Sequence, residues 1–238
     1  MRKSRLNRAF VPLLIGLLPL ALVGCGGGGG GRSTTPTPTP QPVDFGGNDP
    51  NRLTAIGDSI TEGTGERPWP ARLEGRLRGR NGQARVNNRG VGGQTTSAGL
   101  GTLSHALVAD HPGFILILEG TNDIRTGVGA GTAADTLREM VRRAKDNHTV
   151  PILATIPPQF GESRGFMDGV NALNPLIRQV AADEQVTLAE VFAALPDESF
   201  FSDGLHPNDK GAEAIAGAFD EALAKAGFPT AQVARRRR

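Results

Sequence analysis

Residues 114–118 read Phe-Ile-Leu-Ile-Leu, five apolar side chains in a row with no polar alternation. A strand with one face in water alternates apolar and polar residues; an unbroken apolar run of this length predicts a strand covered on both faces. Strands of that kind belong to parallel sheets, whose crossover connections lay helices over both sides. This stretch therefore points to three layers rather than a sandwich, a barrel or a bundle.

The chain from residue 52 onward supplies the remaining pieces. Short apolar runs at 53–56, 84–87, 150–155 and 186–188 predict four further strands. Between and after them, helical patterns lie near 69–79, 97–110, 131–147, 170–184 and 209–226. Alternation at this spacing predicts a three-layer α/β/α sandwich around a five-stranded, mostly parallel sheet. In such sheets, binding and catalytic groups collect at the carboxyl ends of the strands.

Four loops fall on that rim. "GDSIT" (57–61) follows the first strand, "GVGGQTT" (90–96) the second and "GTND" (120–123) the third, while "DGLHPN" (203–208) precedes the last helix. Each brings a group that acyl transfer needs. A serine hydroxyl attacks only when a base takes its proton, and His206 is the candidate base for Ser59. Asp203, three residues before His206, is close enough in sequence for a tight turn to bring its carboxylate to the other ring nitrogen. Gly93 offers an unobstructed backbone N–H and Asn122 a side-chain amide to a developing oxyanion, with Gly90 and Gly92 as alternatives for the backbone donor. Simpler structural roles compete with each assignment. Ser59 followed by Glu62 also fits a capping box at a helix start, Asn122-Asp123 an ordinary strand-exit turn, and His206 a surface loop. Asp58 and Asp123 are expected to organise loops rather than perform chemistry.

These four blocks, in this order, resemble the SGNH (GDSL) hydrolase superfamily, and "ILATIPP" (152–158) is similar to the fourth strand of its lysophospholipase/esterase branch. The resemblance spans residues 52 to about 226. It implies a flavodoxin-like sheet, Ser59 as nucleophile and oxyanion donor, Gly93 and Asn122 as the other two donors, and Asp203 with His206 completing a triad. It also implies a serine esterase with no metal or organic cofactor. His105, His111 and His148 show no spacing suited to zinc.

The N-terminus reads as an address. Residues 1–8 are basic, and sixteen apolar residues follow, broken by Pro12 and Pro19 and too short for a membrane span. They end at Gly24-Cys25, and Cys25 is the only cysteine in the chain. This resembles a bacterial lipoprotein signal, with residues 1–24 removed and Cys25 lipidated, which would anchor the protein in the cell envelope on the extracytoplasmic side. Residues 25–50, rich in glycine and Thr-Pro repeats, are expected to form a tether; 51–228 the hydrolase domain; and 229–238 an arginine-rich tail.

That division changes the meaning of the charge. The whole chain has 26 basic and 24 acidic residues, net +2. Four of the basic residues and none of the acidic ones lie in residues 1–24, so their removal leaves 22 against 24, net −2. Nucleic acid is therefore not an expected partner. The expected substrates are small esters: short-chain acyl esters, lysophospholipids or acylated glycans. A carbohydrate O-acetyl esterase, and a non-catalytic surface-binding lipoprotein of the same fold, are the alternatives. Phe160, Phe166, Phe200 and Phe201 are candidates both for the wall of an acyl pocket and for the core.

Overall fold

The computed structural model describes residues 43–63 and 67–229. The signal segment, Cys25, most of the tether and nearly all of the arginine-rich tail lie outside the described residues.

Five strands make one sheet: β1 (Asp49–Gly57), β2 (Arg85–Gly90), β3 (Pro112–Leu118), β4 (Val150–Ala154) and β5 (Thr187–Ala189). Their order across the sheet is β2-β1-β3-β4-β5, and every neighbouring pair is parallel. The predicted "FILIL" strand is β3, flanked by β1 and β4, and all seven of its residues are buried.

Side-chain alternation divides the core in two. Leu53 and Ala55 of β1 and Phe114, Leu116 and Leu118 of β3 point to one face. There they meet α2 (Trp69–Arg80) and α8 (Asp209–Lys225) through Trp69, Leu73, Leu77, Ile215, Phe219 and Leu223. Ile56, Ile115 and Ile117 point the other way. They pack on α3 (Thr96–Asp110), α5 (Ala130–Asp146) and α6 (Met167–Asp183). Leu73 and Leu77 stand four residues apart, so they share one face of α2, and the Trp69 ring stacks on Phe219 with centroids 4.4 Å apart. On the solvent side of the same two helices, Arg72 pairs with Asp209 and Glu213, Arg76 with Glu213, and Arg80 with Asp220.

Three short helices complete the rim: α1 (Ser59–Glu62), α4 (Thr121–Arg125) and α7 (Val191–Ala194). They are too short to leave a helical period in the sequence. The folded region also begins earlier than residue 51. Strand β1 starts at Asp49, and Phe45 packs on the core with its ring centroid 5.5 Å from that of Phe114. Residues 49 and 50, placed in the expected tether, thus belong to β1, and Phe45 reaches a buried partner.

Candidate active site

The connection from β1 runs to β2 on one side and that from β3 to β4 on the other, so the chain leaves the neighbouring carboxyl ends of β1 and β3 in opposite directions. That switch point leaves a crevice. The loops after β1, β2 and β3 carry Ser59, Gly93 and Asn122 into it.

Ser59 is the first residue of α1. The cap is Asp58, whose Oδ1 accepts from the Ile60 N–H at 2.9 Å. The capping role open to Ser59 in the sequence is thus taken by its neighbour, and the serine hydroxyl is available for another contact. Its Oγ lies 3.0 Å from His206 Nε2. On the far side of the ring, His206 Nδ1 is 2.7 Å from Asp203 Oδ2.

Asp203 is held by a turn of its own making. Its Oδ1 accepts from the backbone N–H groups of Leu205, at 2.9 Å, and His206, at 2.7 Å. Partial burial pulls its carboxyl upward, but the bonds from the His206 ring and the two backbone donors outweigh this and lower it to about 2. An ionised Asp203 only accepts, so the proton on His206 Nδ1 points to it and Nε2 is left as acceptor for the Ser59 hydroxyl. Asn208 caps α8 by accepting from Gly211 N–H, and the chain entering that helix carries His206 into the crevice.

The glycine loop after β2 sets apart Gly93, the donor expected from the sequence, and its alternatives Gly90 and Gly92. Gly90 is spent on packing: a Cβ there would lie 2.1 Å from the Glu62 backbone nitrogen, and its own N–H donates to Asn88 Oδ1. Gly92 would meet only the end of the Glu62 side chain, at 3.0 Å. Gly93 has φ +75° and open space where a Cβ would stand. Among the described residues neither its N–H nor that of Gly92 has an acceptor, so the left-handed turn and the open space are what set Gly93 apart.

Asn122, in α4, donates from Nδ2 to the Gln94 backbone carbonyl at 3.0 Å, and the same nitrogen is 3.3 Å from Asp58 Oδ2. Asp123 is turned away from the crevice and accepts from the N–H and hydroxyl of Thr96, at 2.8 and 2.7 Å. Asp58 is 1% exposed. Burial pushes its carboxyl up to about 6, with the Asp123 charge adding to the rise and the Ile60 N–H and His206 opposing it.

Beside Ser59 a depression is walled by Ile60, Pro68, Trp69, Pro207, Ala212 and Ile215. Phe201 is instead a core residue, with Phe160 against it at 5.3 Å between centroids. Phe166 lies under the Arg125 guanidinium, 4.7 Å from ring centre to Cζ. The apolar wall next to the hydroxyl thus comes from α1, the start of α2 with Pro68 before it, and the first half of α8 with Pro207 before it. Trp69, the only tryptophan in the chain, was the available signal for it. Two buried residues also went unread: Gln94 and Glu119. A glutamate placed directly after an all-apolar strand was the visible sign of the latter.

Residues 55–214 match the sequence profile of the GDSL-like Lipase/Acylhydrolase family. An arylesterase of Vibrio mimicus is 29% identical over 164 residues, covering 66% of this chain and 80% of that protein. The thioesterase 1/protease 1/lysophospholipase L1 of Escherichia coli K12 is 26% identical over 162 residues, covering 66% of this chain and 75% of that one. A lipase/acylhydrolase from Enterococcus faecalis has a similar solved structure, with a TM-score of 0.66 and 21% identity over 74% of this chain and 96% of that one. That likeness bears on the fold, which is the α/β/α arrangement expected from the sequence.

Proposed function

The chain belongs to the GDSL-like lipase/acylhydrolase family of serine hydrolases acting on esters, and from this premise we propose a lipid-anchored extracytoplasmic esterase working through Ser59, His206 and Asp203. The observation that carries the residue assignment is the continuous chain of contacts from Ser59 Oγ to His206 Nε2 and from His206 Nδ1 to Asp203, at 3.0 and 2.7 Å.

In the proposed reaction, Ser59 Oγ attacks the ester carbonyl carbon as His206 Nε2 takes its proton. Ionised Asp203 keeps the imidazole in the required tautomer and stabilises the imidazolium. The carbonyl electron pair moves onto oxygen, where the N–H groups of Ser59 and Gly93 and the Asn122 amide receive it. For Asn122 this means turning one proton from its long contact with Asp58 to the oxyanion while the bond to Gln94 holds the amide in place. Each such donor contributes roughly 10²–10³ in turnover. Collapse of the tetrahedral adduct breaks the bond to the alcohol, which leaves with the proton from His206. Water, deprotonated by the same nitrogen, then releases the acid and restores Ser59.

The substrates proposed are short-chain acyl esters or lysophospholipids. The names arylesterase and lysophospholipase L1 carried by relatives support this class. Cys25 is the proposed lipidation site. A fluorophosphonate probe tests the nucleophile: the wild type labels and Ser59→Ala does not, whereas labelling of the folded Ser59→Ala protein refutes the assignment. Rates on nitrophenyl esters of rising chain length, beside lysophospholipid and acetylated xylan, sort the substrate class. Incorporation of labelled palmitate in the native host, lost in Cys25→Ala, tests the anchor.

A further inference from the structure

Gln94 closes the turn that contains Gly92 and Gly93, its own N–H donating to the Val91 carbonyl at 3.1 Å. Its backbone carbonyl also accepts from Asn122 Nδ2 at 3.0 Å. The two donors proposed for the oxyanion therefore meet at one residue. What holds that residue is its side chain. Nε2 donates to the Gly57 carbonyl at the exit of β1, at 3.2 Å, and to Glu119 Oε1 at the exit of β3, at 2.6 Å; Oε1 accepts from Thr102 of α3 at 2.7 Å. A single amide thus ties the loop after β2 to both flanking strands and to a helix.

Glu119 is 0% exposed, so it is closed off from solvent. Its Oε2 has no hydrogen-bond partner among the described residues. Burial first, and then the nearby Asp58 and Asp123 charges, raise its carboxyl well above the usual range. An apolar side chain would fill this space without desolvating a carboxyl group. What it would not do is accept the Gln94 proton.

We propose that Glu119 and Gln94 form a positioning pair that sets the Gly93 turn and the Asn122 amide for oxyanion binding. The inference rests on the reaction proposed above, and its test separates the two. Wild type, Glu119→Gln, Glu119→Met, Gln94→Met and Ser59→Ala are assayed on nitrophenyl acetate for kcat and KM. Each is also assayed for inhibition by a trifluoromethyl ketone, which forms an anionic tetrahedral adduct, and thermal melts verify folding.

Both methionine variants are expected to lose roughly 10–100-fold in kcat, below the full effect of deleting a donor, with KM within about twofold. Affinity for the ketone falls in parallel. Glu119→Gln keeps the shape and an oxygen acceptor for the Gln94 amide and is expected to retain kcat within about threefold of wild type. If Glu119→Met does not fold, Gln94→Met, next to the rim, and Glu119→Gln decide the matter. Wild-type kcat in Gln94→Met, or a loss in Glu119→Gln as large as in the methionine variants, overturns the pair while Ser59→Ala stays inactive. Activity in Ser59→Ala overturns the reading of the site instead.

Discussion

The side chain of Asp58 caps α1 in place of the serine beside it, accepting from the Ile60 N–H at 2.9 Å while Ser59 Oγ turns to His206. Adjacent residues thus divide a structural task, the cap, from the chemical one proposed for Ser59. The division predicts that the two side chains respond differently to truncation.

Ser59→Ala should abolish hydrolysis and probe labelling while leaving stability within about 0.5 kcal/mol of wild type, because no cap is lost. Asp58→Ala, compared near pH 4 where the buried carboxyl is still protonated, should lower stability by about 1 kcal/mol through the missing cap. Urea titrations of both variants check the contrast. A Ser59→Ala variant destabilised as much as Asp58→Ala would show that the hydroxyl also supports the fold.

Asp58→Asn isolates the charge, since asparagine caps as well as aspartate. With the native carboxyl raised to about 6 from an ordinary 3.8, the folded state holds more protons than the unfolded state between those values. Stability of the wild type should therefore fall as pH rises from about 4 to about 6. The asparagine variant should lose that component of the slope and be the more stable of the two above pH 6. Thermal melts from pH 4 to pH 8 measure it.

Asp203 has the opposite sign. Its carboxyl is lowered to about 2, so the stability it contributes is present above pH 4 and is lost as pH falls toward 2. Its side chain is 55% exposed, so this contribution is small. The larger effect is on the reaction: Asp203→Asn should reduce kcat by roughly 10²–10⁴-fold through the wrong imidazole tautomer. Steady-state rates, with circular dichroism to confirm the fold, test it; a loss below about tenfold would argue against Asp203 as the partner of His206.

Gly90 and Gly93 should also separate. Alanine at 90 drives a methyl group into the backbone of α1, so Gly90→Ala is expected to cost about 1–3 kcal/mol and displace Ser59, lowering kcat. Alanine at 93 meets open space and bears only the left-handed backbone penalty, about 1–2 kcal/mol. Chemical denaturation and the rate of phosphonate labelling, measured for both, tell packing from positioning.

The arrangement of layers was legible in the sequence because its signals are local. An apolar run without alternation implies a strand with two dry faces, and helical periodicity between such runs implies the crossovers. The five longer helices and all five strands follow from that reasoning. The blocks holding Ser59, Gly93, Asn122, Asp203 and His206 were likewise visible by their residue types and order. Of the short rim helices, α1 showed only as a capping-box start at Ser59 and α4 not at all, since four or five residues carry less than two turns of pattern.

Tertiary structure decided what depends on neighbours distant in the chain. The order β2-β1-β3-β4-β5 places the exits of β1 and β3 side by side, and the return of α8 across α2 brings His206 to a serine 147 residues earlier. Which side chain caps α1, which glycine is packed and which left open, and that Glu119 lies wholly out of water all follow from that placement. Residue types and spacing determined which chemical groups this chain brings to the rim. Only the packed sheet determined their partners, because hydrogen bonding and desolvation are set by what lies within a few ångströms in space.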